Sequence, residues 1–498
     1  MFLDTHFGPD LHRGTCRQVS PAHQIIGCAG EGRNPVHLRD AAMPHFAHKR
    51  NHTGFGGYRI LSLLVLLGVA CIPAFSQGDY PKTFSNPFMS LLDQQTLTGD
   101  WGGARTRLAE KGLSLTGFWQ DDYFADPSVG NTRGLIGTGN WSRIRSTLDI
   151  DMGRLAHVKG LSLHITSTLN QGLDVGADSR YIGSLAGVTG NYTINHQLRL
   201  DSWWVKQELF GDKLSLSAGQ ISGTDFFGFV PQDFTHFTSL GPFYAPFALY
   251  NSFSSFDPIS TPAAMVQVTP NKRFYYRTMI QSITEGNPKD PNAVLGFYNW
   301  YNNGSGTCME MKDGAVWHNE VAYLYGSGEA HFGVSYSGSK AYTKWSGKAS
   351  DGTLVALPGF TKNSNAGNEN YYWILKQAIL RPTAGSNRNV DLGGTFVWGP
   401  DDKGVLPFNR QFIGKAEFNG LLPGRSKDSI NFSFDYMGIR GPLETAIFKS
   451  EKVYEFDYSL QVTRWLQWMP DVQLHQDLGA NPKNGTGVAV GFRSSITF

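Results

Sequence analysis

The residues whose types and spacing could do chemistry are charged side chains that alternate along one segment. Within Ser142–Met152, two arginines and two aspartates occupy alternate positions, namely Arg143, Arg145, Asp149 and Asp151. Since side chains of a strand point to opposite faces with a period of two, all four would share one face. Two carboxylates invite an acid/base interpretation. Beside two arginines they are instead predicted to form a ladder of charges that contacts polar solutes.

Other charged residues extend this ladder. Arg199 and Asp201 stand two positions apart on a later segment and would also share a face. No G-x-S-x-G, H-E-x-x-H, P-loop or paired-cysteine metal motif is found, so the sequence predicts no catalysis and no cofactor. The isolated histidines are interpreted as polar groups rather than metal ligands: His164, His196, His236, His318, His331 and His475.

The elements that must position these side chains are short alternating strands. Leu161–Asn170, Ser429–Tyr436 and Tyr454–Val462 each place apolar residues on one face and polar residues on the other. The chain ends on such a strand, Thr486–Phe498, with Val488, Val490, Phe492, Ile496 and Phe498 on the apolar face. A soluble sandwich would hide this face, whereas an outer-membrane barrel would turn it to lipid and line a wet lumen with Arg493, Ser495 and Thr497.

The lengths of the connections separate these alternatives. About sixteen strands are predicted from residue 113 onward, and the connections between them alternate between short and long. Short turns on one side and long loops on the other are typical of outer-membrane barrels. The short ones are near 153–160, 211–213, 270–272, 326–328, 382–387, 422–427 and 464–466, and the long ones are near 125–139, 171–196, 223–262, 285–316, 339–369 and 400–410.

The longest connection, 223–262, falls between the fifth and sixth predicted strands. Loops of this length without secondary structure are usually functional. It contains many aromatic residues, including Phe243 and Tyr244. We expect it to fold into the barrel, where most of its rings pack against the wall and some are offered to a solute.

Composition agrees with β-structure. Aromatic residues make up 13%, glycine numbers 58 and charged residues only 17%, against about 25% charged residues in typical soluble proteins. Removing residues 1–76 takes seven of the 43 Lys/Arg and four of the 41 Asp/Glu, leaving 36 and 37. This balance does not favour nucleic acid as a partner. Cys308 would be the one remaining cysteine, so the exported chain is predicted to have no internal disulfide.

The N-terminal region predicts export. Ile60–Phe75 is apolar, follows basic residues and ends in Ala74-Phe75-Ser76, which is the layout of a secretory signal peptide. A single anchoring helix and a lipoprotein signal ending at Cys71 are the alternatives. We predict a non-native or mis-assigned leader at 1–57, with true translation starting downstream near Met43. A signal peptide at 58–76, an N-terminal helical segment at 77–112 and a barrel at 113–498 follow it.

Two helical stretches are expected before the first strand. They are 86–96 and Asp100–Lys111, with Asp100 as the N-terminal cap of the second and Gly112 as its stop. Arg105 on that helix is a candidate to face the mouth of the barrel. A metal-binding role for the histidine-rich leader is an alternative to its being an artefact.

One segment carries a family resemblance. Leu97–Gly112, with Asp100-Trp101-Gly102-Gly103 followed by spaced arginines, resembles the opening motif of the carbohydrate-selective porin family typified by the glucose porin of Pseudomonas. Segments 217–227, 420–428 and 462–473 are also similar to that family. Family members often carry a basic residue where Gln220 stands and an acidic one near Ser222, so the charge expected at the constriction differs here.

The resemblance implies a sixteen-stranded antiparallel β-barrel in the bacterial outer membrane that takes up sugars such as glucose by facilitated diffusion. Short oligosaccharides are a second class of candidate solute. The implied partners are carbohydrate solutes, outer-membrane lipid and the barrel-assembly machinery, which would read the terminal Phe498. A monomer and a homotrimer both stay open. The competing hypotheses are a general or non-sugar channel, an outer-membrane hydrolase and a soluble secreted sugar-binding β-protein.

Overall fold

The structure is a computed structural model. It describes residues 91–126, 137–173, 184, 187–189, 198–228, 252, 254–255, 260–282, 314–337, 342–343, 360–361, 368–380, 388–399, 408–439 and 449–498. The predicted leader and signal peptide, with the start of the predicted 86–96 helix, lie outside these residues. None of the described helices is long and apolar enough to cross a membrane.

Eighteen strands are described. They are β1 (Leu113–Asp126), β2 (Gly137–Asp151), β3 (Leu161–Leu173), β4 (Leu198–Leu209), β5 (Leu214–Ile221), β6 (Thr261–Asn271), β7 (Phe274–Ser282), β8 (Ala315–Tyr325), β9 (Gly328–Ser337), β10 (Tyr342–Thr343), β11 (Phe360–Thr361), β12 (Asn368–Leu380), β13 (Asn389–Trp398), β14 (Phe408–Asn419), β15 (Ser429–Ile439), β16 (Ser450–Gln461), β17 (Leu466–Gln476) and β18 (Thr486–Thr497).

Sixteen of these strands form one closed antiparallel barrel, and β10 pairs only with β11. Each barrel strand pairs with its neighbour in the chain, and β9 pairs with β12 across the small β10–β11 ladder. The final strand β18 closes the barrel on β1, with Asp122 opposite Arg493. Closure leaves no unpaired strand edge, which hydrocarbon would penalise heavily. The predicted sixteen-stranded barrel is confirmed.

The two faces of the final strand divide as predicted. Val490 is exposed on the outside of the barrel, whereas Arg493 is buried inside. The same division holds on β15, where Phe432 is exposed and Asp435 is buried. Apolar side chains therefore cover the outer wall and polar side chains line the interior, the reverse of a soluble sandwich.

The connections between strands alternate in length as predicted. The short connections lie at one end of the barrel, and the long connections, which follow β1, β3, β5, β7 and β9, lie at the other end. The short connection after β2 contains a helix that the sequence did not suggest, α2 (Met152–Ala156). It begins where Asp151 accepts hydrogen bonds from the backbone of Gly153 and Arg154 at 2.8 and 3.2 Å.

The N-terminal helix is shorter than predicted. A 3-10 turn, Trp101–Gly103, precedes α1 (Ala104–Glu110), because Gly102 and Gly103 have positive φ. The N-cap residue of α1 is Gly103 rather than Asp100, but Oδ1 of Asp100 accepts from the backbone N–H and the hydroxyl of Thr106 in the first turn, both at 2.9 Å. The first predicted helix does not continue past residue 92.

Gly112 ends the helix, as expected. Its φ of +93° suits glycine, and a Cβ there would lie 2.5 Å from the Asp151 carbonyl oxygen. This turn contacts the residue before α2, because the backbone N–H of Asp151 donates to the Gly112 carbonyl at 2.8 Å. The N-terminal segment is thereby fixed to the short-connection end of the barrel.

The turn between β14 and β15, which lies in one of the family-like segments, is held by an ion pair. Arg425 donates from Nε and Nη2 to the Asp428 carboxylate at 2.6 and 2.9 Å. Burial lowers the pKa of the Arg425 guanidinium, but the hydrogen bond and charge of Asp428 outweigh it and raise that pKa above its usual value. Tyr458 of β16 donates to the same carboxylate, which joins the turn to the wall.

Candidate functional site in the barrel lumen

The candidate site is the inner face of the barrel, and its first cluster lies on β2 and β4. Asp201 is fully buried and accepts a hydrogen bond from Thr168 at 2.8 Å. Its Oδ2 lies 3.3 Å from the Arg145 guanidinium and 3.9 Å from that of Arg143. Arg143 also lies over the ring of Phe118, 5.9 Å from its centroid. Two guanidinium groups around one carboxylate leave this cluster with positive charge.

Neighbouring strands bring the members of this cluster together. Arg145 stands opposite Thr168 on β3, and Thr168 stands opposite Arg199 on β4. Arg199 is buried, so the register adds a third arginine to the same wall. The alternation that defined the candidates in the sequence therefore brings Arg143, Arg145, Arg199 and Asp201 to one place.

Asp149 belongs to a separate and more open group. Its carboxylate lies 2.7 Å from Nδ1 of His164, whose ring stacks on Trp204 with centroids 4.6 Å apart. The ring of Phe226 packs against Trp204, with centroids 5.5 Å apart. More than half of the Asp149 side chain is accessible. An exposed carboxylate next to stacked rings can contact both the hydroxyls and the apolar face of a sugar.

Two predicted site residues lie at the short-connection end and have structural partners there. Asp151 caps α2 and pairs with Arg154 at 3.2 Å. Arg105 donates to the Thr96 hydroxyl at 2.8 Å and to the carbonyls of Gly99 and Leu115 at 3.2 and 3.3 Å. Neither residue joins the arginine cluster: Asp151 caps α2, and Arg105 ties the residues before α1 to the start of β1.

The other predicted positions are placed as follows. Gln220 is fully buried, and the register places it opposite Trp203 of β4 and Pro262 of β6. On β5 it stands on the face opposite to that of Ser215 and Ser217. Ser222, where an acidic residue was expected, caps a 3-10 turn and forms a reciprocal capping box with Asp225. Phe243 and Tyr244 lie outside the described residues.

The start of the longest connection turns into the barrel. Phe227 is fully buried among Ile221, Met265 and Met279, which project inward from β5, β6 and β7. Its ring stacks on His318, with centroids 5.1 Å apart. Residues 222–228 of this connection therefore lie against the wall, and the other aromatic residues of the predicted loop are outside the described residues.

A buried charged network, which we call the Glu320 network, anchors this start. Glu320 on β8 is paired with Arg277 on β7. Its carboxylate also accepts hydrogen bonds from the hydroxyls of Tyr372 at 2.6 Å and Tyr275 at 3.0 Å. The backbone N–H of Gly228 donates to the Tyr372 hydroxyl at 3.1 Å, so the connection and the wall share one hydrogen-bonded unit.

The neighbours of the Glu320 network explain how such large side chains fit. Gly333 on β9 stands opposite both Glu320 and Tyr372, and a Cβ there would lie 1.9 Å from the Tyr372 ring. His331 approaches from the same strand, with Nδ1 3.4 Å from Glu320 and Nε2 3.3 Å from Glu329. The sequence pattern does not predict this network. Alternation places Arg277 and Glu320 on inward faces, but only the fold makes them partners.

The connection between β3 and β4 also contacts the inner wall. The Ser184 hydroxyl donates to Glu451 at 2.5 Å, and Nδ1 of His475 lies 2.9 Å from the same hydroxyl. Thr189 donates to Asp122 at 2.5 Å, and Val188 is fully buried in an apolar cluster with Trp141. Strands distant in sequence thus hold the described part of this connection inside the barrel.

Charge is unevenly distributed around the lumen. On β2 and β4 the arginines stand beside Asp149 and Asp201, whereas on the wall formed by β14–β17 the described carboxylates outnumber the described bases. The buried or half-buried acids of that second wall are Glu417, Asp435, Glu451, Glu455, Asp457 and Asp471. We call it the acidic wall. An uneven distribution of fixed charges around a lumen produces a field across the path of a solute.

Comparisons with known proteins agree with this architecture. The sequence model of the family described as "Carbohydrate-selective porin, OprB family" matches residues 138–498. Porin B of Pseudomonas aeruginosa is 21% identical over 434 residues, which are 81% of this chain and 91% of that protein. The high-pH structure of Pseudomonas putida OprB is similar with a TM-score of 0.67 and 18% identity, covering 82% of this chain and 99% of that one.

The family match begins inside β2, so it does not include the opening motif Leu97–Gly112, but it contains every barrel strand from β3 onward. The structural match supports the sixteen-stranded barrel. The match over most of the chain confirms the resemblance seen in the sequence: this protein belongs to the carbohydrate-selective porin, OprB family.

Proposed function

We propose that this outer-membrane porin carries neutral monosaccharides such as glucose, and short oligosaccharides, by facilitated diffusion. The observation that supports this most directly is the pairing of charged walls with an aromatic group inside one lumen. Arg143, Arg145 and Asp201 form one side, and the stacked His164 and Trp204 stand beside the open Asp149 carboxylate.

These groups suit a sugar that must lose water to pass. Charged and polar side chains replace hydrogen bonds that the sugar gives up, and ring faces contact the C–H face of a pyranose. Binding has to be weak, because a solute held tightly cannot leave. In this proposal the sugar passes through the lumen unchanged, and no covalent bond is made or broken.

The test is the ionic current through the purified protein in a planar bilayer. Discrete conductance steps that decrease when glucose or a short oligosaccharide is added would support the proposal. A general channel would conduct without sugar block. An outer-membrane hydrolase would give no steps and would release lipid products.

We further propose that Phe498 assists assembly. Its backbone N–H donates to the Gly117 carbonyl at 2.9 Å, and its carbonyl accepts from the Gly117 N–H at 3.1 Å. A Cβ on Gly117 would lie 3.1 Å from the Phe498 ring, so the ring covers this glycine. The terminal aromatic is also the feature that the barrel-assembly machinery would read.

Deleting Phe498 is therefore expected to reduce the amount of folded barrel in outer-membrane fractions several-fold, while Phe498→Tyr keeps it. The folded fraction is measured by the heat-dependent shift of the band on an electrophoresis gel. The conductance of those molecules that do assemble should stay unchanged. Wild-type levels of folded protein after the deletion would contradict this role. The same gels, run without heating, report whether the porin is a monomer or a homotrimer.

A further inference from the structure

A groove of about 670 Å³ lies on the outer wall of the barrel, across β4–β8. Two small residues that stand opposite each other line it, Ala218 on β5 and Ala264 on β6. Larger apolar side chains that are exposed also line it, among them Val205, Leu216, Ile280 and Trp317. Small side chains between large ones thus leave a groove in the wall that faces hydrocarbon.

Polar groups on this part of the outer wall are paired with one another. Nε1 of Trp317 donates to the Thr278 hydroxyl at 2.7 Å. The Tyr276 hydroxyl donates to Oδ1 of Asn319 at 2.8 Å. Pairing of this kind lowers the cost of placing polar groups in hydrocarbon. The groove is therefore suited to an acyl chain rather than to a hydrophilic segment.

Basic side chains stand at the short-connection end of the same strands. Lys213 lies in the turn between β4 and β5, and Lys272 and Arg273 form the turn between β6 and β7. All three are exposed. The two turns are neighbours, because the backbone N–H of Thr269 donates to the Lys213 carbonyl at 2.8 Å. Against these three bases the same turns contain one acid, Asp212, so their net charge is positive.

The carboxylates on the flanking strands have partners of their own. Glu208 of β4 pairs with Lys206, and Glu329 of β9 lies 3.3 Å from Nε2 of His331. In the part of the chain that the structure describes, no ion pair includes a base of the two turns. The positive charge of the turns is therefore presented to the surroundings of the barrel.

Exposed aromatic rings place these turns at the membrane boundary. Phe210 in the β4–β5 turn is 78% exposed, and its φ of 56° holds it in a left-handed turn. Phe274 and Tyr323 stand opposite each other on β7 and β8 and are also exposed. Aromatic rings of this kind lie at headgroup level in outer-membrane barrels, whose short turns face the periplasm.

The groove and the basic turns lie within the length of one lipid molecule. Lys213 precedes Leu216 of the groove by three residues, and Arg273 precedes Tyr276 by three. At about 3.3 Å per residue, each separation is roughly 10 Å along a tilted strand. A headgroup at the turns can therefore extend an acyl chain directly into the groove.

We infer that this surface binds one anionic phospholipid of the leaflet that faces the periplasm. Lys213, Lys272 and Arg273 hold its phosphate headgroup, and the groove between Ala218 and Ile280 receives an acyl chain. The site goes beyond sugar passage, because it lies on the outer wall and shares no residue with the arginine cluster of the lumen.

The experiment uses the full-length protein, purified in detergent and freed of lipid, and counts bound lipids by native mass spectrometry. Phosphatidylglycerol and phosphatidylcholine with identical acyl chains are the probes. The wild type is expected to retain phosphatidylglycerol more strongly than phosphatidylcholine. Lys213→Gln/Arg273→Gln should weaken phosphatidylglycerol binding at least about tenfold, because bases next to anionic lipid contribute strongly to binding.

Two further variants separate headgroup from chain. Arg107→Gln/Lys111→Gln is the matched control, since it removes two exposed bases at the same end of the barrel but in and after α1. It should bind phosphatidylglycerol like the wild type. Ala264→Phe fills the groove from outside, where the exposed side chain does not disturb the lumen. It should weaken the binding of both lipids several-fold.

Three results would overturn the inference. Equal retention of the two lipids by the wild type, or unchanged phosphatidylglycerol binding in Lys213→Gln/Arg273→Gln, would show that the turns do not recognise the headgroup. Unchanged binding in Ala264→Phe would show that no chain enters the groove. Displacement of the lipid by an equal concentration of inorganic phosphate would assign the turns to free anions instead.

Discussion

Replacing Arg143 and Arg145 together by glutamine is expected to move the ion preference of the channel strongly toward cations. Both guanidinium groups contact the buried Asp201 carboxylate. Their removal therefore does more than delete positive charge, because the negative charge of Asp201 loses two of its partners. The net change at this wall is two unit charges in the negative direction.

The size of the effect can be estimated from Coulomb's law. A unit charge about 8 Å from a passing ion contributes ~0.5 kcal/mol at the dielectric constant of water. Two charges contribute ~1 kcal/mol, which changes the local concentration of each ion about fivefold, in opposite directions for cations and anions. Salt screens this effect, so it should be largest at low ionic strength.

The measurement is the reversal potential of the open channel across a salt gradient. Arg154→Gln is the matched control, because this exposed arginine pairs with Asp151 at the short-connection end and outside the arginine cluster. It should leave selectivity nearly unchanged. Asp201→Asn should shift selectivity the opposite way, toward anions. An unchanged reversal potential in Arg143→Gln/Arg145→Gln would mean that these arginines lie outside the path of ions.

Removing the carboxylate of the Glu320 network is expected to cost the most stability. Glu320→Ala leaves the Arg277 guanidinium buried without its partner, a change that typically costs about 3–5 kcal/mol. The hydroxyls of Tyr275 and Tyr372 lose their acceptor as well. Since Gly228 donates to Tyr372, the start of the β5–β6 connection should loosen from the wall. Open-channel current should become noisier, and sugar block weaker.

A double substitution that removes both charges gives this prediction its control. Replacing Arg277 and Glu320 together by methionine and leucine removes both charges, so it should cost less stability than Glu320→Ala alone. Glu329→Gln changes a carboxylate that touches only the outer edge of the network, through His331 at 3.3 Å, and should have a small effect. Equal unfolding temperatures and equal current noise in Glu320→Ala and the wild type would contradict the anchoring role.

Much of the barrel could be predicted because alternation is a local property of the chain. The parity of Arg143 and Arg145 on one strand, and of Phe432 and Asp435 on another, directly gives the face that each occupies. Turn residues then mark where strands end, and so give the alternation of short and long connections. These signals need only a few neighbouring residues, and they sufficed for the strand number and for the arginine cluster.

The remaining features depend on partners far away in the sequence. Nothing near Ser184 indicates that it meets Glu451, and nothing near Glu320 indicates that it meets Tyr372. The interpretation of Asp151 from charge and parity, and of Arg105 from its place on the N-terminal helix, does not include their local roles. Asp151 caps the start of α2, and Arg105 donates to carbonyls of the turn before α1 and of β1. The pairing of Asp457 with Asp471 likewise exists only after β16 and β17 have aligned.

Block of single-channel current by matched solutes tests whether this lumen selects sugars. Glucose and tetraethylene glycol have similar size, but only glucose combines many hydroxyl donors with a ring face. We expect glucose to reduce the current in a saturable way at concentrations where the glycol reduces it only in proportion to viscosity. Equal, unsaturable reduction by both solutes would contradict it, and would describe a pore that passes small polar solutes without selecting sugars.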